Sequence, residues 1–363
     1  MHSAHISHSY LANVLAAEND ASIQAYSLGA QPSLWEKILL KIKKTTASDE
    51  SVIYKSFGVS NFVNISPNNK QQVKAEKIFE KIYRDITTKR DIEILTINGV
   101  SVGNLFYDSF LKKYKKPTIN KDCSEFQEFL LKSIELFVFW EEYFDNNNVC
   151  AINVSHCVYN LAIPLRLAVS RNIPVYQANA THIYRLSKDN LFAYNDFHYF
   201  PERFSALPEK MQNAGLAEAK QRIERRLGGE VGVDMAYSSK SVYGAFRHAK
   251  LLKDSPRKKI LIATHCFFDS PHSYGDNIFP DFHEWLVFLG KITEETNYDW
   301  YIKTHPDYLP GTKGIIDAFI CRYPKFALLP SDASHHQIIA EGINLVLTVY
   351  GTISFEYAAM GVQ

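Results

Sequence analysis

The sequence predicts an α/β protein with parallel strands, arranged in two domains. Short apolar runs rich in β-branched residues alternate with longer runs of helical periodicity almost throughout the chain, which is typical of parallel α/β architecture. The chain has 363 residues, whereas single hydrophobic cores usually stop growing near about 250–300 residues. The length therefore favours two packed domains.

In the first domain, predicted at residues 1–200, the elements follow from apolar spacing. Residues 70–89 and 124–144 repeat apolar side chains at helical intervals, which predicts two amphipathic helices whose stripes face the core. Four short apolar runs predict strands, namely 22–28, 91–97, 150–155 and 173–178.

Residues 201–256 break this alternation. They contain one polar helix, a Gly-Gly stop and a Ser-rich loop, so we expect an interdomain segment there. A second α/β series fills residues 257–363. Its strands are predicted at 259–264, 299–304, 326–331 and 343–350, and its helices at 281–296, 314–323, 334–342 and from Thr352.

Composition and charge restrict the class of protein. With 46% hydrophobic and 22% charged residues, the chain has the composition of a folded globular protein. Forty Lys and Arg against 39 Asp and Glu give a formal net charge of +1, so no overall field attracts nucleic acid. The five cysteines are scattered without a CxxC pair, which indicates neither a disulfide framework nor a zinc site and favours the cytoplasm.

The two ends of the chain carry further expectations. The N-terminal residues lack the basic and apolar segments of an export signal, and no run reaches the length of a membrane span. The alternation of helices and strands begins with a helix, and the chain stops at a point where a further strand would start. We therefore expect a fold truncated at the C-terminus, with the first strand missing at the N-terminus.

Polar residues follow three strands of the second domain, where parallel sheets bind their ligands. Gly351, Thr352 and Ser354 offer a close backbone approach and two hydroxyls, which suits a phosphate; the alternative is that a hydroxyl only caps the helix. Glu356 does not have capping-box spacing and could accept hydrogen bonds from a ribose.

His305 can donate to a phosphate oxygen, and Pro306 fixes the turn beside it. A purely structural turn is the alternative. Strand alternation predicts that Lys303 points away from Thr304 and is solvated.

A third strand end contains His265, Asp269 and His272, which raises the question of a metal. No HExxH motif or third close carboxylate supports one, and Phe267 and Phe268 between them are typical of wall residues. We therefore predict no metal ion.

The first domain offers candidates for the acceptor side and for a general base. A strand is joined to a helix through Gly99, Gly103 and Asn104 without the GxGxxG spacing of dinucleotide sites. Asp108 follows, either as a base or as a solvated helix-face carboxylate. His156 and Tyr159 follow another strand, and His156 is either a base or a core residue.

Several of these motifs resemble a known family. The runs HCFFDSPHSYGDNIFPDFHEWL, KTHP and LTVYGTISFEYAAMG, together with INGVSVGNLFYDSFLKKYKKPTI and INVSHCVYNLAIPLRLAVSRNIPVY, are similar to bacterial capsular and surface-polysaccharide glycosyltransferases of the GT-B type. The resemblance implies two Rossmann-like domains facing a cleft, with the acceptor at residues 1–200 and the nucleotide sugar at 257–363. It also implies catalysis without a metal or other cofactor.

The resemblance assigns provisional roles. His305 becomes the phosphate donor, Gly351, Thr352 and Ser354 the phosphate loop, and Glu356 the ribose ligand. Pro306 and His265 join the donor side, Gly99, Gly103, Asn104 and Tyr159 the acceptor side, and the base stays open among His156, Asp108 and Asp269.

The expected partners are a nucleotide-sugar donor and a glycan or lipid-linked glycan acceptor of capsule or lipopolysaccharide. Contact with the inner membrane or with other polysaccharide-assembly enzymes is a further expectation. Two alternatives remain open: a CDP-alcohol phosphotransferase of related fold, and a non-catalytic module that binds a glycan or a partner.

Overall fold

The computed structural model describes residues 2–27, 51–59, 61–178, 182–233, 240–244, 246, 249–275 and 277–363. By its internal contacts the chain divides into two compact units. The first comprises Met1–Tyr114, Ile119–Asp196 and Ser270–Asn277, and the second comprises Lys115–Thr118, Phe197–Asp269 and Ile278–Gln363.

The first unit is built mainly of helices around an aromatic core. Its helices are α1 (His2–Asn19), α2 (Ser51–Ser56), α3 (Asn69–Asp85), α4 (Lys89–Glu93), α5 (Gly103–Tyr114), α6 (Ser124–Asn146) and α7 (Ile163–Ser170). Phe106, Phe110, Phe126 and Phe137 from α5 and α6 are fully buried in this core. The two predicted amphipathic helices are therefore confirmed as α3 and α6.

The strands of the first unit are short. They are β1 (Gln24–Ala25), β2 (Asn61–Phe62), β3 (Thr96–Ile97), β4 (Val100–Ser101), β5 (Ile152–Val154), β6 (Val175–Ala178) and β7 (Ile183–Leu186). β5 and β6 pair in parallel with Val154 opposite Gln177, and β7 joins β6 in the antiparallel direction. The three-stranded sheet is therefore mixed rather than all parallel.

The prediction of a strand over 91–97 is wrong for most of its length, since α4 occupies its first half. The Thr88 side chain accepts from the Asp91 amide while the Asp91 carboxylate accepts from the Thr88 amide, a capping box that starts a helix. Of the strand predicted at 22–28, Gln24–Ala25 forms β1, and residue 28 lies outside the described residues.

The second unit contains a four-stranded parallel sheet with helices between its strands. The elements are α8 (Phe200–Ser205), α9 (Glu209–Leu227), β8 (Lys259–Ala263), α10 (Phe282–Glu295), β9 (Asp299–Lys303), α11 (Thr312–Arg322), β10 (Phe326–Leu328), α12 (His335–Ala340), β11 (Leu345–Leu347) and α13 (Ile353–Ala359). The strand order is β10-β9-β8-β11. This arrangement confirms the prediction of mixed α/β structure with parallel strands.

Both faces of this sheet are covered, as parallel sheets require. Ile260, Ile262 and Ile302 belong to one hydrophobic cluster, whereas the intervening Leu261 and Tyr301 belong to another. The alternation follows from the pleat, which turns successive side chains to opposite faces. The strands consequently read as unbroken apolar runs.

Two segments differ from the sequence-based division. Residues 201–256 belong to the second unit and contribute α8 and α9; part of the Ser-rich loop, 234–239, lies outside the described residues. Residues 270–277, which follow β8 in the sequence, belong to the first unit. In the part of the chain that the structure describes, none of the helices has the length and apolarity needed to cross a bilayer.

Candidate functional site

The strand order of the second unit marks one position for a ligand. β9 and β10 continue from β8 on one side, whereas β11 returns to the other side of β8. In open parallel sheets, ligands bind outside the carboxyl ends of the strands where the order reverses. Here that point lies between β8 and β11, beside His265 and Tyr350, whose rings are edge to face at 6.4 Å.

Basic side chains gather at this edge of the second unit. The positive groups Lys303 and Arg226 lie close enough to His305 and His335 to lower the pKa of both imidazoles, in addition to the larger effect of burial. His265 contributes further to the lowered pKa of His305. We call these five residues, Arg226, His265, Lys303, His305 and His335, the basic cluster. Because their lowered pKa keeps the imidazoles neutral and Glu356 pairs with Arg226, the cluster offers an anion mainly N–H donors, together with the charge of Lys303.

Lys303 is not the solvated residue that strand alternation predicts. It is 3% exposed, and its Nζ donates to the carbonyl of Ser331 at 2.9 Å. Burial lowers the pKa of Lys303 to about 8. The negative charge of nearby Asp332 acts in the opposite direction but is the smaller effect. The prediction failed because both faces of β9 are covered, so alternation does not place either face in water.

His305 is exposed just beyond the end of β9, with its hydrogen-bonding role set by the backbone. The amide of Asp307 donates to its Nδ1 at 3.1 Å. In the neutral ring Nδ1 therefore carries no proton, and Nε2–H is left as a donor. Incomplete solvation lowers the pKa of His305, which favours this neutral form. Lys240 Nζ donates to the carbonyl of Pro306 at 3.3 Å and so helps to hold the turn.

Glu356 is engaged within the protein instead of facing a ribose. It is 3% exposed; one carboxylate oxygen pairs with Arg226 Nε and the other accepts from the Tyr243 hydroxyl. Burial and the Glu356 charge raise the pKa of Tyr243, which therefore stays protonated as a donor. Arg226 Nη2 also donates to Thr352 Oγ1 at 2.9 Å. Glu356 consequently positions Arg226 and Thr352, and the expected ribose contact is not supported.

The glycine turn remains open at the same edge. Gly351 has a φ of +120°, and a Cβ added there would meet nothing within 4 Å. Ser354 Oγ donates to the Gly351 carbonyl at 3.0 Å, and Thr352 makes no side-chain cap on α13. Because α13 has only seven residues, the dipole argument made from the sequence is weak. Anion recognition therefore depends on the basic cluster.

Asp108, a candidate base, lies in a buried charged triad of the first unit. Its two carboxylate oxygens accept from Nδ1 and from the backbone amide of His272, at 2.6 and 3.2 Å. The other ring nitrogen, Nε2, is 2.8 Å from Glu93 Oε1. Burial opposes the charged imidazolium, but Asp108 and Glu93 outweigh it and raise the pKa of His272 to about 10. Asp108 is thus a partner of an imidazolium rather than a base or a solvated carboxylate.

His156 and Tyr159 follow β5, as the sequence predicts. His156 is exposed, and His8 of α1 is near enough for the two imidazoles to interact. Tyr159 has a φ of 61° and a ψ of 177°, a combination that is costly for any residue except glycine. Its hydroxyl accepts from Lys112 Nζ at 3.1 Å and from the Ser270 amide at 3.2 Å. Tyr159 is therefore a tightly held residue at this strand end.

The predicted glycine loop is a hairpin followed by a helix. Asn98 and Gly99, both at positive φ, join the antiparallel strands β3 and β4, as an Asn-Gly pair favours. Gly103 opens α5 against the chain, and a Cβ there would clash with the backbone of residues 92–95. Gly99 and Gly103 therefore have local structural roles, and their assignment to the acceptor side stays a prediction. Asn104 is buried, and its Oδ1 has no hydrogen-bond partner among the described residues.

Two groups of His and acidic residues could be considered as metal ligands. His272 belongs to the first unit, whereas His265 and Asp269 belong to the second. Phe267 and Phe268 are buried, as expected of wall residues. Elsewhere Asp281, His283 and Glu284 place ligand atoms within 4.8 Å of one another. Asp281 already accepts from the Glu284 amide as the N-cap of α10, which accounts for its position without an ion.

Several site residues were missed from the sequence. Lys303, the last residue of β9, was considered but interpreted as solvated, and His335, which begins α12 after β10, was not considered. Arg226 and Tyr243 lie in a segment that was interpreted as a linker, and Glu93 lies in a segment predicted to be a strand. No sequence signal pointed to their pairing with Glu356 or His272.

Comparison with known protein families, with curated proteins and with solved structures found no match. The resemblance to surface-polysaccharide glycosyltransferases therefore depends on the motifs alone.

Proposed function

We propose that the chain is a glycosyltransferase that moves a sugar from a nucleotide donor to a surface glycan of the capsule or lipopolysaccharide type. The fold we propose is a pair of Rossmann-like domains of the GT-B type, acting in the cytoplasm or at the cytoplasmic face of the membrane. The observation that carries the proposal is the basic cluster at the strand edge where the sheet order reverses.

The cluster supplies what the departing nucleotide needs. When the glycosidic bond to the phosphate breaks, negative charge develops on the phosphate oxygens. His305 Nε2–H can donate to one oxygen, and the Gly351 turn lets another approach the backbone. Preorganised donors of this kind stabilise developing charge without reorganisation. With such donors supplied by the protein, a metal-independent mechanism is the simpler proposal.

The acceptor hydroxyl needs a base. Asp108 is excluded because its carboxylate is bonded to His272. Of the other two candidates, His156 and Asp269, we favour His156, since an imidazole is matched to proton transfer near neutral pH better than an exposed carboxylate is. Each lies beyond a strand end of its own unit.

Thermal-shift measurements with CMP-, UDP-, GDP- and CDP-linked sugars test the proposal. The accepted donor should stabilise the protein by about 2.7 kcal/mol at a hundredfold excess over Kd. A response to CDP-glycerol or CDP-ribitol alone would favour the phosphotransferase instead. The absence of a shift with every nucleotide would refute both and leave a non-catalytic binding module.

A further inference from the structure

A groove of about 430 Å³ lies between α10 and α11 of the second unit. Its walls are mostly apolar, with Val287 from α10, Phe319 from α11 and Pro117 from the segment Lys115–Thr118, which belongs to the same unit. Ligand sites are typically concave, largely apolar and about 300–1,000 Å³ in volume. The described residues that line the groove include no member of the basic cluster, so the groove is separate from the candidate site.

The groove follows one face of α11. Gly314, Ala318 and Arg322 line it at intervals of four residues, which places them one above another along the helix. The eight positions from Gly314 to Arg322 span about 12 Å of helix. Beside Arg322, α10 lies in close contact with Tyr323, since a Cβ added to Gly290 would lie 2.7 Å from its ring. An elongated groove of this kind fits a linear apolar chain.

Gly314 leaves the groove unfilled. It lies in the first turn of α11, where alanine is the better helix former. A Cβ added there would meet nothing within 4 Å, and Gly314 does not have the positive φ that favours glycine. Among the described residues, neither backbone conformation nor close packing therefore requires a glycine at this position. The missing side chain enlarges the groove, as a binding role would require.

Arg322 places a positive charge at one end of the groove. Its side chain is exposed, and its guanidinium lies 5.3 Å from the centre of the Tyr323 ring. Glu294, near the end of α10, pairs with Lys325 at 3.7 Å, and no described carboxylate pairs with Arg322. Arg322 is therefore available to a ligand carboxylate, whose geometry its planar donors match.

The opposite end of the groove is acidic. His283 lines it at the start of α10, and the ligand atoms of Asp281, His283 and Glu284 all lie within 4.8 Å of one another. The two carboxylates repel an anion there, whereas Arg322 attracts it. The charges therefore orient an amphipathic anion with its head group at Arg322 and its apolar chain toward Gly314.

We propose that this groove binds a single linear apolar chain with a carboxylate head group, a ligand of the fatty-acid class, with the carboxylate at Arg322. One exposed guanidinium balances one negative charge, and the walls of the groove remove the chain from water. The site lies outside the proposed transfer reaction and does not depend on it.

Methyl NMR titration with decanoate, decanol and decyltrimethylammonium, below their micelle-forming concentrations, tests the proposal. Decanoate should shift the methyl signals of Val287 and Ile315 saturably and bind about three- to fivefold more tightly than decanol, with the cation weakest. Arg322→Met should bind decanoate and decanol equally. Arg222→Met is the matched control, since Arg222 is exposed on α9 of the same unit and does not line the groove; it should keep the preference for decanoate.

A second variant tests the groove itself. Ala318→Phe fills it from an exposed helix position and should weaken binding of both decanoate and decanol at least about tenfold, with a melting temperature close to that of wild type. Melting curves of both variants check folding, and either variant carries the test if the other unfolds.

Three results would overturn the inference: no saturable shift at Val287 and Ile315 in wild type, equal binding of decanoate and decanol to wild type, or unchanged binding by Ala318→Phe. Binding of phosphatidylglycerol vesicles without any decanoate shift would replace the single chain by a membrane surface. A dimer that Ala318→Phe dissociates would replace it by a second copy of the protein. A nucleotide shift without decanoate binding would refute this site but not the glycosyltransferase.

Discussion

Replacing His272 tests the buried triad of the first unit most sharply. His272 is 2% exposed and bridges Asp108 and Glu93, so His272→Gln removes the imidazolium from between two buried carboxylates, of which Glu93 retains its pairing with Arg90. Breaking a buried ion pair by removing one partner costs about 3–5 kcal/mol. Denaturant unfolding at pH 7 should show a loss of that size. The exposed His182 of the same unit provides the control, since His182→Gln should change stability by less than about 0.5 kcal/mol.

The pH dependence of the unfolding free energy of wild type and His272→Gln tests whether the charged imidazolium stabilises the fold. The pKa of His272 is raised from 6.5 to about 10 in the folded protein, so its stabilisation is complete below pH 6.5 and is lost as the pH rises through 10. The difference of about 3.5 pKa units corresponds to at most about 5 kcal/mol. The stability gap between wild type and His272→Gln should therefore narrow between pH 6.5 and 10. A gap that is constant, or widens, would refute the charged bridge.

Three further substitutions, with Gly99→Ala as a comparison, separate structural from functional roles. Lys303→Met should stabilise the protein at pH 7, because the lowered pKa of about 8 means that folding disfavours the charged form of Lys303. In urea unfolding, this gain in stability should shrink as the pH rises from 8 to 10.5. A loss of stability at pH 7 would contradict the prediction. Gly103→Ala should cost about 3 kcal/mol, because its Cβ would lie 2.0 Å from the Ile92 carbonyl oxygen and the backbone would have to shift. Gly99→Ala should cost only about 1 kcal/mol through backbone strain, and equal melting temperatures of the two variants would contradict the close packing at Gly103. Glu356→Gln should lower the stability of the protein by about 1.5–3 kcal/mol, because it weakens the bonds to Arg226 and Tyr243. If Glu356 instead bound a ribose, the substitution would weaken nucleotide binding and leave the stability unchanged.

Periodicity predicted the elements that bury a continuous apolar face. α3 and α6 carry apolar stripes, and β8 and β9 are unbroken apolar runs between turn residues, so pattern and structure agree. α4 shows the limit, because its local sequence has β-branched residues but its start is fixed by the reciprocal Thr88–Asp91 bonds. Residues 270–277 belong to the first unit, where His272 pairs with Asp108, a long-range contact that no local pattern encodes.

The candidate site likewise contains residues that the sequence predicted and residues that it could not predict. His305 and Gly351 were found because they follow strands directly, where the topology places ligands. Glu356 was misread because its spacing excluded a capping box but could not reveal Arg226, which lies 130 positions earlier.

Calorimetric titration of the stabilising nucleotide into wild type and His305→Ala tests the central claim most directly. The His305 side chain is exposed, and its described hydrogen bond is to the local Asp307 amide, so the substitution should leave the melting temperature nearly unchanged. The account predicts that nucleotide binding is abolished or weakened by at least about tenfold. Nucleotide binding that survives His305→Ala, together with a large loss of stability, would contradict it and reduce His305 to a turn residue.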